Sequence, residues 1–325
     1  MKLNNTIAIG CLVQFYEIRI IEDYIKSVSY SLENVDNKEN VIIDICFNMN
    51  EKLESIDRNE ITSQEIVKRM DVICAKYNVD FWINKDRLFT IADYRREFNE
   101  KYCEKVDVLM WGESDSLIPR QTFEILDNLH TAAKETTPKY VGFFSTCKMW
   151  DDSWKILEHP DFTDKPFTEQ DLTNWWSLRY NMTQDEMDKI NDKVDDLDIQ
   201  VTDKLKFNGC GLVISSDVIK SGVNIPKSVF FVHEDTAFMN SCLIQFKGKL
   251  PQYIIKNILL VHNRKLPKKR SFIKGQDYED DDQTRMREQQ YWYKNANKMS
   301  QVNAFNLTEQ GYTYTWEDVF RDYEK

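Results

Sequence analysis

Glycine and proline are scarce, at nine and seven residues in a chain of 325. Sandwiches and barrels of many short strands need the tight turns those residues supply. An all-β architecture of that kind is therefore excluded. No two of the seven cysteines, Cys11, Cys46, Cys74, Cys103, Cys147, Cys210 and Cys242, are spaced as Cys-x-x-Cys. This odd, scattered set excludes a zinc ribbon and a disulfide framework and reads as reduced, buried thiols. No stretch approaches the ~20 apolar residues of a membrane span. Positive charge is short: 43 Lys and Arg face 54 Asp and Glu, for a net charge of −11. That excludes wholesale coating of nucleic acid but leaves room for a local basic groove. The first apolar run, IAIGCLV at 7–13, lacks a strongly charged lead-in and is followed at once by Glu17 and Arg19. It reads as a β-strand and not as a signal peptide, so a cytoplasmic protein is expected.

Apolar and aromatic residues are plentiful, at 42% and 13%. They are ample for a packed core and argue against disorder. The length suits one large α/β domain with an appendage, or two domains. The run at 7–13 is continuously apolar, as in a strand buried on both faces of a parallel sheet. Ile21, Tyr24, Ile25, Val28 and Leu32 then fall on one helical face. VIIDICF at 41–47 predicts a second strand, and Ile66, Met70, Ile73 and Cys74 mark the next helix. A short strand at 79–83, a charged helix at 93–104, a strand at 106–111 and a helix through Phe123 to Leu129 follow. This alternation predicts a mostly parallel, doubly wound α/β sheet, with ligands outside the carboxyl ends of its strands. Further on, 140–144, 209–215, 230–232 and 253–261 read as strands and 236–245 as a helix. The polar segment 151–204 reads as helical with long loops, and a polar helix is expected around 289–298.

At 108–119 the sequence is VLMWGESDSLIP, an apolar run that stops at two acids, Glu113 and Asp115. Two hard oxygen ligands at a strand end suit Mg2+ or Mn2+, which can bridge a pyrophosphate. Ser, Asp and Pro favour a plain turn in any case. In FFVHEDTAF, 230–238, Glu234 and Asp235 precede an apolar helix. They serve either as helix-start residues or as a general base at the mouth of the sheet. His262, in LLVHNR, is either a satisfied near-surface residue or an imidazole ligand. Trp150, Trp154, Trp175 and Trp176 either pack an irregular region or stack on sugars and unpaired bases. Arg264, Lys265, Lys268, Lys269, Arg270 and Lys274 form the one basic cluster, a solvated loop or a phosphate contact.

The order of a strand-end acid pair, a later Glu-Asp before a helix and a still later strand-end His resembles the GT-A glycosyltransferases. The likeness is greatest to their large inverting family and covers about 7–264. Glu113-Ser114-Asp115 stands where that family has its DxD motif. YRREFNEKYCEKVDVLMWGESD is similar to its Arg/Asn-containing helix running into that strand. GCGLVISSDVIKSGVNIPKSVFFVHEDTAF resembles its block of small residues, strand and acid pair ending in the catalytic Asp. The resemblance implies a Rossmann-like GT-A domain over 1–265, with a donor-binding half to about 135 and an acceptor half from about 136. A basic loop and helical extension would follow at 266–325. It implies a metal-dependent hexosyl- or pentosyltransferase that uses Mn2+ or Mg2+ and a nucleotide sugar, UDP-linked, and inverts the anomeric centre. By it Asp235, with Glu234 beside it, deprotonates the acceptor hydroxyl. Asp115, Glu113 and His262 would hold the metal, and Gln14, Phe15, Asn48, Arg95 and Glu113 would contact the donor.

The chain departs from the family pattern in three places. Its first motif acid is Glu. Its first strand runs into VQFYE where the family often has Pro-x-x-Asn, and its second ends in CFNMN instead of an acidic turn. The base of the nucleotide is left open by these changes. The opening IAIGCLVQFYEIRIIEDYI resembles glycosyltransferases of large tailed bacteriophages, which include enzymes that glycosylate hydroxymethylated cytosine in phage DNA. That likeness implies 5-hydroxymethylcytosine as acceptor and the host cytoplasm as location, with a surface glycan as the alternative acceptor. Two other classes compete. A nucleotidyltransferase should carry a Gly-rich phosphate loop after the first strand, and CLVQFYE has none. A non-catalytic nucleotide-sugar binding protein would not need Asp235.

Overall fold

A computed structural model describes residues 1–14, 17–18, 20–49, 62–85, 88–146, 183–202, 205, 208–262, 291–307 and 313–321. Phe15, Cys147, the four tryptophans at 150–176 and the basic cluster at 264–274 lie outside the described residues.

The central strand β1 (Ile7–Gln14) is buried along almost its whole length, as its apolar run demands. Helix α1 (Ile21–Leu32) buries Ile21, Tyr24, Ile25 and Val28, the residues that share its apolar face. Strand β2 (Val41–Asn48) pairs with β1 in parallel, Gln14 facing Asn48 at the carboxyl ends. Helix α2 (Ser63–Tyr77) starts where the Thr62 hydroxyl accepts the Glu65 amide at 3.2 Å. It ends at Asn78 in the left-handed conformation, a usual helix stop. Strand β3 (Trp82–Asn84) lies three residues later than the expected start and is a short edge. Its polar and aromatic ends are poor substitutes for an apolar run.

Helix α3 (Ile91–Tyr102) is closed at its start by Asp93, which accepts the Thr90 amide at 3.2 Å. Strand β4 (Val108–Trp111) is wholly buried, and helix α4 (Thr122–Lys134) and strand β5 (Val141–Thr146) follow. Helix α5 (Gln184–Asn191) and strand β6 (Ile199–Thr202) come next. The strand β6 was not expected: exposed Ile199 and Val201 on a polar background give it a weak apolar signal. Strand β7 (Val213–Ser215) leads into the short helix α6 (Ser216–Lys220). Residues 230–232, expected as a strand, are irregular. Phe230 and Phe231 are instead drawn into an aromatic cluster with Trp292 and Trp316. Helix α7 (Glu234–Phe246), strand β8 (Gln252–Leu260), helix α8 (Tyr291–Phe305) and helix α9 (Trp316–Phe320) complete the described elements.

The sheet has eight strands in the order β3-β2-β1-β4-β7-β5-β8-β6. All pair in parallel except β7, which is antiparallel to β4 and β5, and β6, which is antiparallel to β8. This is an α/β fold with a mostly parallel, mixed sheet. The chain moves outward from β1 to β2 and β3, then returns to place β4 on the other side of β1. The crevice at that reversal is where ligands bind in open sheets. Because β7 runs against its neighbours, the residues before it reach the same rim as the carboxyl ends of β1, β2, β4 and β8. None of the described helices is long and apolar enough to cross a membrane.

Candidate active site

Past Trp111 the chain turns. The Ser116 amide and hydroxyl both donate to the Glu113 carbonyl, at 3.0 and 2.8 Å. The turn closes when Leu117 pairs with Val261 in an isolated bridge, amide to carbonyl at 2.9 Å. That bridge brings His262 against the acid pair. Its Nε2 lies 2.8 Å from Glu113 Oε2 and 3.8 Å from Asp115 Oδ1. Asp115 and His262 are both buried, and Glu113 is partly so. The turn thus gathers two carboxylates and an imidazole at one place.

On the approach to β7, Asn208 and Cys210 bond reciprocally. The Cys210 amide donates to Asn208 Oδ1 at 3.1 Å, and Asn208 Nδ2 donates to the Cys210 carbonyl at 3.2 Å. Gly211 has φ of 71°, the left-handed region that favours glycine. Together these aim the Cys210 side chain at the acid pair. One ligand atom from each of Glu113, Cys210 and His262 lies within 4.8 Å of the others. Burial first, then the Glu113 and Asp115 charges, push the Cys210 thiol well up from its ordinary value.

Arg95, on α3, is almost completely buried and joins two parts of the site. Its Nη2 donates to Glu113 Oε1 at 2.9 Å and to the Gly209 carbonyl at 3.1 Å, and its Nη1 donates to Glu234 Oε1. The guanidinium also lies over the Trp111 ring, 4.8 Å from its centroid. A Cβ at position 209 would sit 2.2 Å from Arg95 Nη1, so the close approach requires glycine. Burial opposes the charge on Arg95, but Glu234 and Glu113 outweigh it and hold the group charged. Burial lifts the Glu234 carboxyl to about 7, Arg95 pulling down and Asp235 pushing up.

Glu234 and Asp235 form the first turn of α7. The preceding His233 is held at φ 67°, an uncommon conformation for a residue with a side chain. Helix α8 clasps this segment. His233 Nε2 lies 3.2 Å from Asn297 Oδ1, and the Ser300 hydroxyl donates to the Val232 carbonyl at 2.6 Å. From the other side Arg96 donates to the carbonyls of Ile225, Pro226 and Val229 at 2.9, 3.0 and 2.6 Å. Glu234 is buried against Arg95, whereas Asp235 is partly exposed. Asp235 Oδ1 accepts the Thr236 amide at 2.7 Å.

A continuous polar chain therefore runs from Asp115 through His262, Glu113 and Arg95 to Glu234, the neighbour of Asp235. Gln14 and Asn48 sit apart from this chain, at the adjacent ends of β1 and β2. Asn48 is fully buried, donating to Gln14 Oε1 at 3.0 Å and to the Phe89 carbonyl at 2.6 Å, and accepting from Asn84 at 2.9 Å. Its amide shapes the strand ends, and the partly exposed Gln14 faces outward from them. Sequence reasoning passed over Cys210, Asn208 and Arg96. The Asn-Gly-Cys-Gly run was the available signal for the first two. Among the described residues the Arg96 guanidinium bonds to backbone carbonyls 129 to 133 residues away and to nearby Asp93, partners that have no sequence signature.

No family model matches the chain, and no curated protein matches it by sequence. Solved structures do. GalNAc-T7, crystallised with UDP, GalNAc and Mn2+, superposes with a TM-score of 0.50 at 6% identity over 98% of this chain and 54% of its own. The mannosyltransferase PcManGT from Pyrobaculum calidifontis, with GDP-Man and Mn2+, gives 0.49 at 8% identity over 98% and 69%. S. aureus TarS 1–349 with UDP-GlcNAc gives 0.46 at 8% identity over 98% and 71%. The chain thus spans about half the length of GalNAc-T7. With a mostly parallel, mixed eight-stranded sheet covered by helices, the fold is that of the GT-A glycosyltransferases.

Proposed function

We propose that this protein is a metal-dependent glycosyltransferase that moves a sugar from a nucleotide-sugar donor to an acceptor hydroxyl, with inversion. The observation that carries the reading is the polar chain from Asp115 to Glu234 at the rim of the sheet. It joins a set of cation ligands to a helix start that presents a carboxylate. The GT-A fold shared with GalNAc-T7, whose structure holds UDP, GalNAc and Mn2+, supports the donor and metal parts of this reading. We divide the molecule accordingly, with the donor side up to about 135, the acceptor side from there to 265, and an extension beyond.

Two carboxylates and an imidazole fit Mn2+ or Mg2+ in donor chemistry. Asp115, Glu113 and His262 would hold the ion, which supplies positive charge to the departing diphosphate. Asp235 is the general base: it takes the acceptor's proton as the hydroxyl attacks. It is preferred to Glu234 because Arg95 occupies the Glu234 carboxylate, while Asp235 reaches solvent. Attack from the face opposite the leaving group inverts the anomeric carbon. Arg95 fixes the distance between the two halves of the site by holding Glu113 and Glu234 at once. Gln14, at the end of β1, would contact the nucleotide, which is UDP in this proposal, and Phe15 is proposed as a second contact from the sequence resemblance alone.

For the acceptor, the opening sequence favours 5-hydroxymethylcytosine in phage DNA. The net charge of −11 favours a second reading, a surface glycan, because an acidic protein repels polyanions. A panel of nucleotide sugars with Mn2+, with nucleoside diphosphate release followed in the presence of hydroxymethylated DNA, unmodified DNA or a glycan, tests both. Release from one donor, abolished by chelator and stimulated by one acceptor, is expected. No release from any donor with any acceptor would contradict the proposal.

A further inference from the structure

The cation set at the β4 and β8 ends contains a donor that the reading above leaves unused. Cys210 comes from a different element, and its sulfur joins Glu113 and His262 with all three ligand atoms within 4.8 Å of one another. Ligand atoms around a tetrahedral ion bound at about 2.0–2.3 Å stand roughly 3.4 Å apart. The distances here are compatible with that value: His262 Nε2 and Glu113 Oε2 are 2.8 Å apart, and none of the three separations exceeds 4.8 Å. The three groups converge from three parts of the sheet: after β4, before β7 and after β8. The backbone does specific work to bring the sulfur in, through the reciprocal Asn208 bonds and the left-handed Gly211. Glu113 also has an orienting partner, as metal ligands do: Arg95 holds its far oxygen.

We propose that Cys210 Sγ is a protein ligand at this centre together with Glu113 and His262, which makes it a mixed sulfur, nitrogen and oxygen site. Asp115, 3.8 Å from His262, completes the set. Such a site takes borderline, thiophilic cations such as Co2+ and Zn2+ ahead of Mg2+, because thiolate and imidazole are softer than carboxylate oxygen. Binding displaces the thiol proton. The inference rests on the reading of this site as a metal centre and adds to it the sulfur ligand and the metal preference that follows.

Co2+ distinguishes the two claims. Titration of the protein with Co2+ should produce visible ligand-field bands together with an intense near-ultraviolet sulfur-to-cobalt charge-transfer band. The Cys74→Ala variant, which removes a buried cysteine of α2, should keep both. Cys210→Ser should lose the charge-transfer band and keep the ligand-field bands. Should Cys210→Ser fail to fold, as judged by circular dichroism, the wild-type and Cys74→Ala spectra decide alone. Zn2+ should also displace Mn2+ from the wild-type protein, read as the return of the free Mn2+ signal in electron paramagnetic resonance. Ligand-field bands without a charge-transfer band in the wild type would overturn the role of Cys210 and leave the metal centre standing. Absence of any Co2+ or Mn2+ binding would overturn both.

Discussion

Arg95 shows how much one residue organises. Its guanidinium serves two acids and a carbonyl from three separate segments while almost fully buried. A charge in that position is tolerable because Glu234, Glu113 and the Gly209 carbonyl pair both of its terminal nitrogens. Arg95→Lys keeps the charge but loses the planar fork, so it cannot hold Glu113 and Glu234 together. We expect Arg95→Lys to lower kcat by at least about tenfold with a smaller change in KM, since it disturbs alignment more than binding. Asp44, mid-way along β2, is a structural counterpart. Trp82, Tyr102 and Lys101 donate to its carboxylate at 3.0, 2.6 and 2.8 Å. Burial works against the ionised form, but the bonds from Lys101, Tyr102 and Trp82 prevail and hold the carboxyl below its ordinary range. A depressed folded-state pKa adds stability above the unfolded value of about 3.9, and that stability is lost as pH falls through the folded value. Asp44→Asn is therefore expected to cost roughly 1.5–3 kcal/mol at neutral pH. It should also flatten the acid limb of the stability curve below about pH 4, as read by urea unfolding across pH.

At the scale of elements, helix α3 is the organiser. Thr90 and Asp93 close its start, and consecutive Arg95 and Arg96 serve the site and the segment leading to α7. Thr90→Ala should cost about 1 kcal/mol in urea unfolding. Helix α8 is the second support, because it clasps the residues just before Glu234 and Asp235. Asn297→Ala frees the strained His233 turn and is expected to lower kcat several-fold while the thermal transition moves by only a few degrees. Strong patterning made most elements legible: 7–13 carried an uninterrupted apolar run, 41–47 and 106–111 carried runs broken by a single aspartate each, and α1 buries the face its spacing predicted. The residues at 230–232 misled because apolar aromatics satisfy strand and loop packing alike, and only the distant Trp292 and Trp316 decide between them. The exposed strand β6 was hidden because an edge strand needs little apolar content. The convergence of Glu113, Asp115 and His262 at one rim followed from strand ends in a parallel sheet. The sulfur of Cys210 and the span of Arg95 depend on the antiparallel β7 and on pairings over 114 to 139 residues.

At the scale of the molecule, the fold gathers the strand ends on one rim, and the acidic surface conditions what can approach it. With 54 acids against 43 bases, encounter with DNA must rely on local positive charge. Transfer to a neutral glycan should change little between about 50 and 200 mM salt, whereas transfer to DNA should fall steeply over that range. Rates measured across the series with each acceptor separate the two. The central claim is that Asp235 is the base of a sugar transfer at this rim. It is tested most directly by Asp235→Asn, with donor binding measured by calorimetry beside turnover and the anomer of the product read by nuclear magnetic resonance. The expected result is donor affinity near that of the wild type, turnover lower by about 10²–10⁴-fold, and an inverted anomer from the wild-type enzyme. Undiminished turnover in the variant, or retention at the anomeric carbon, would contradict it.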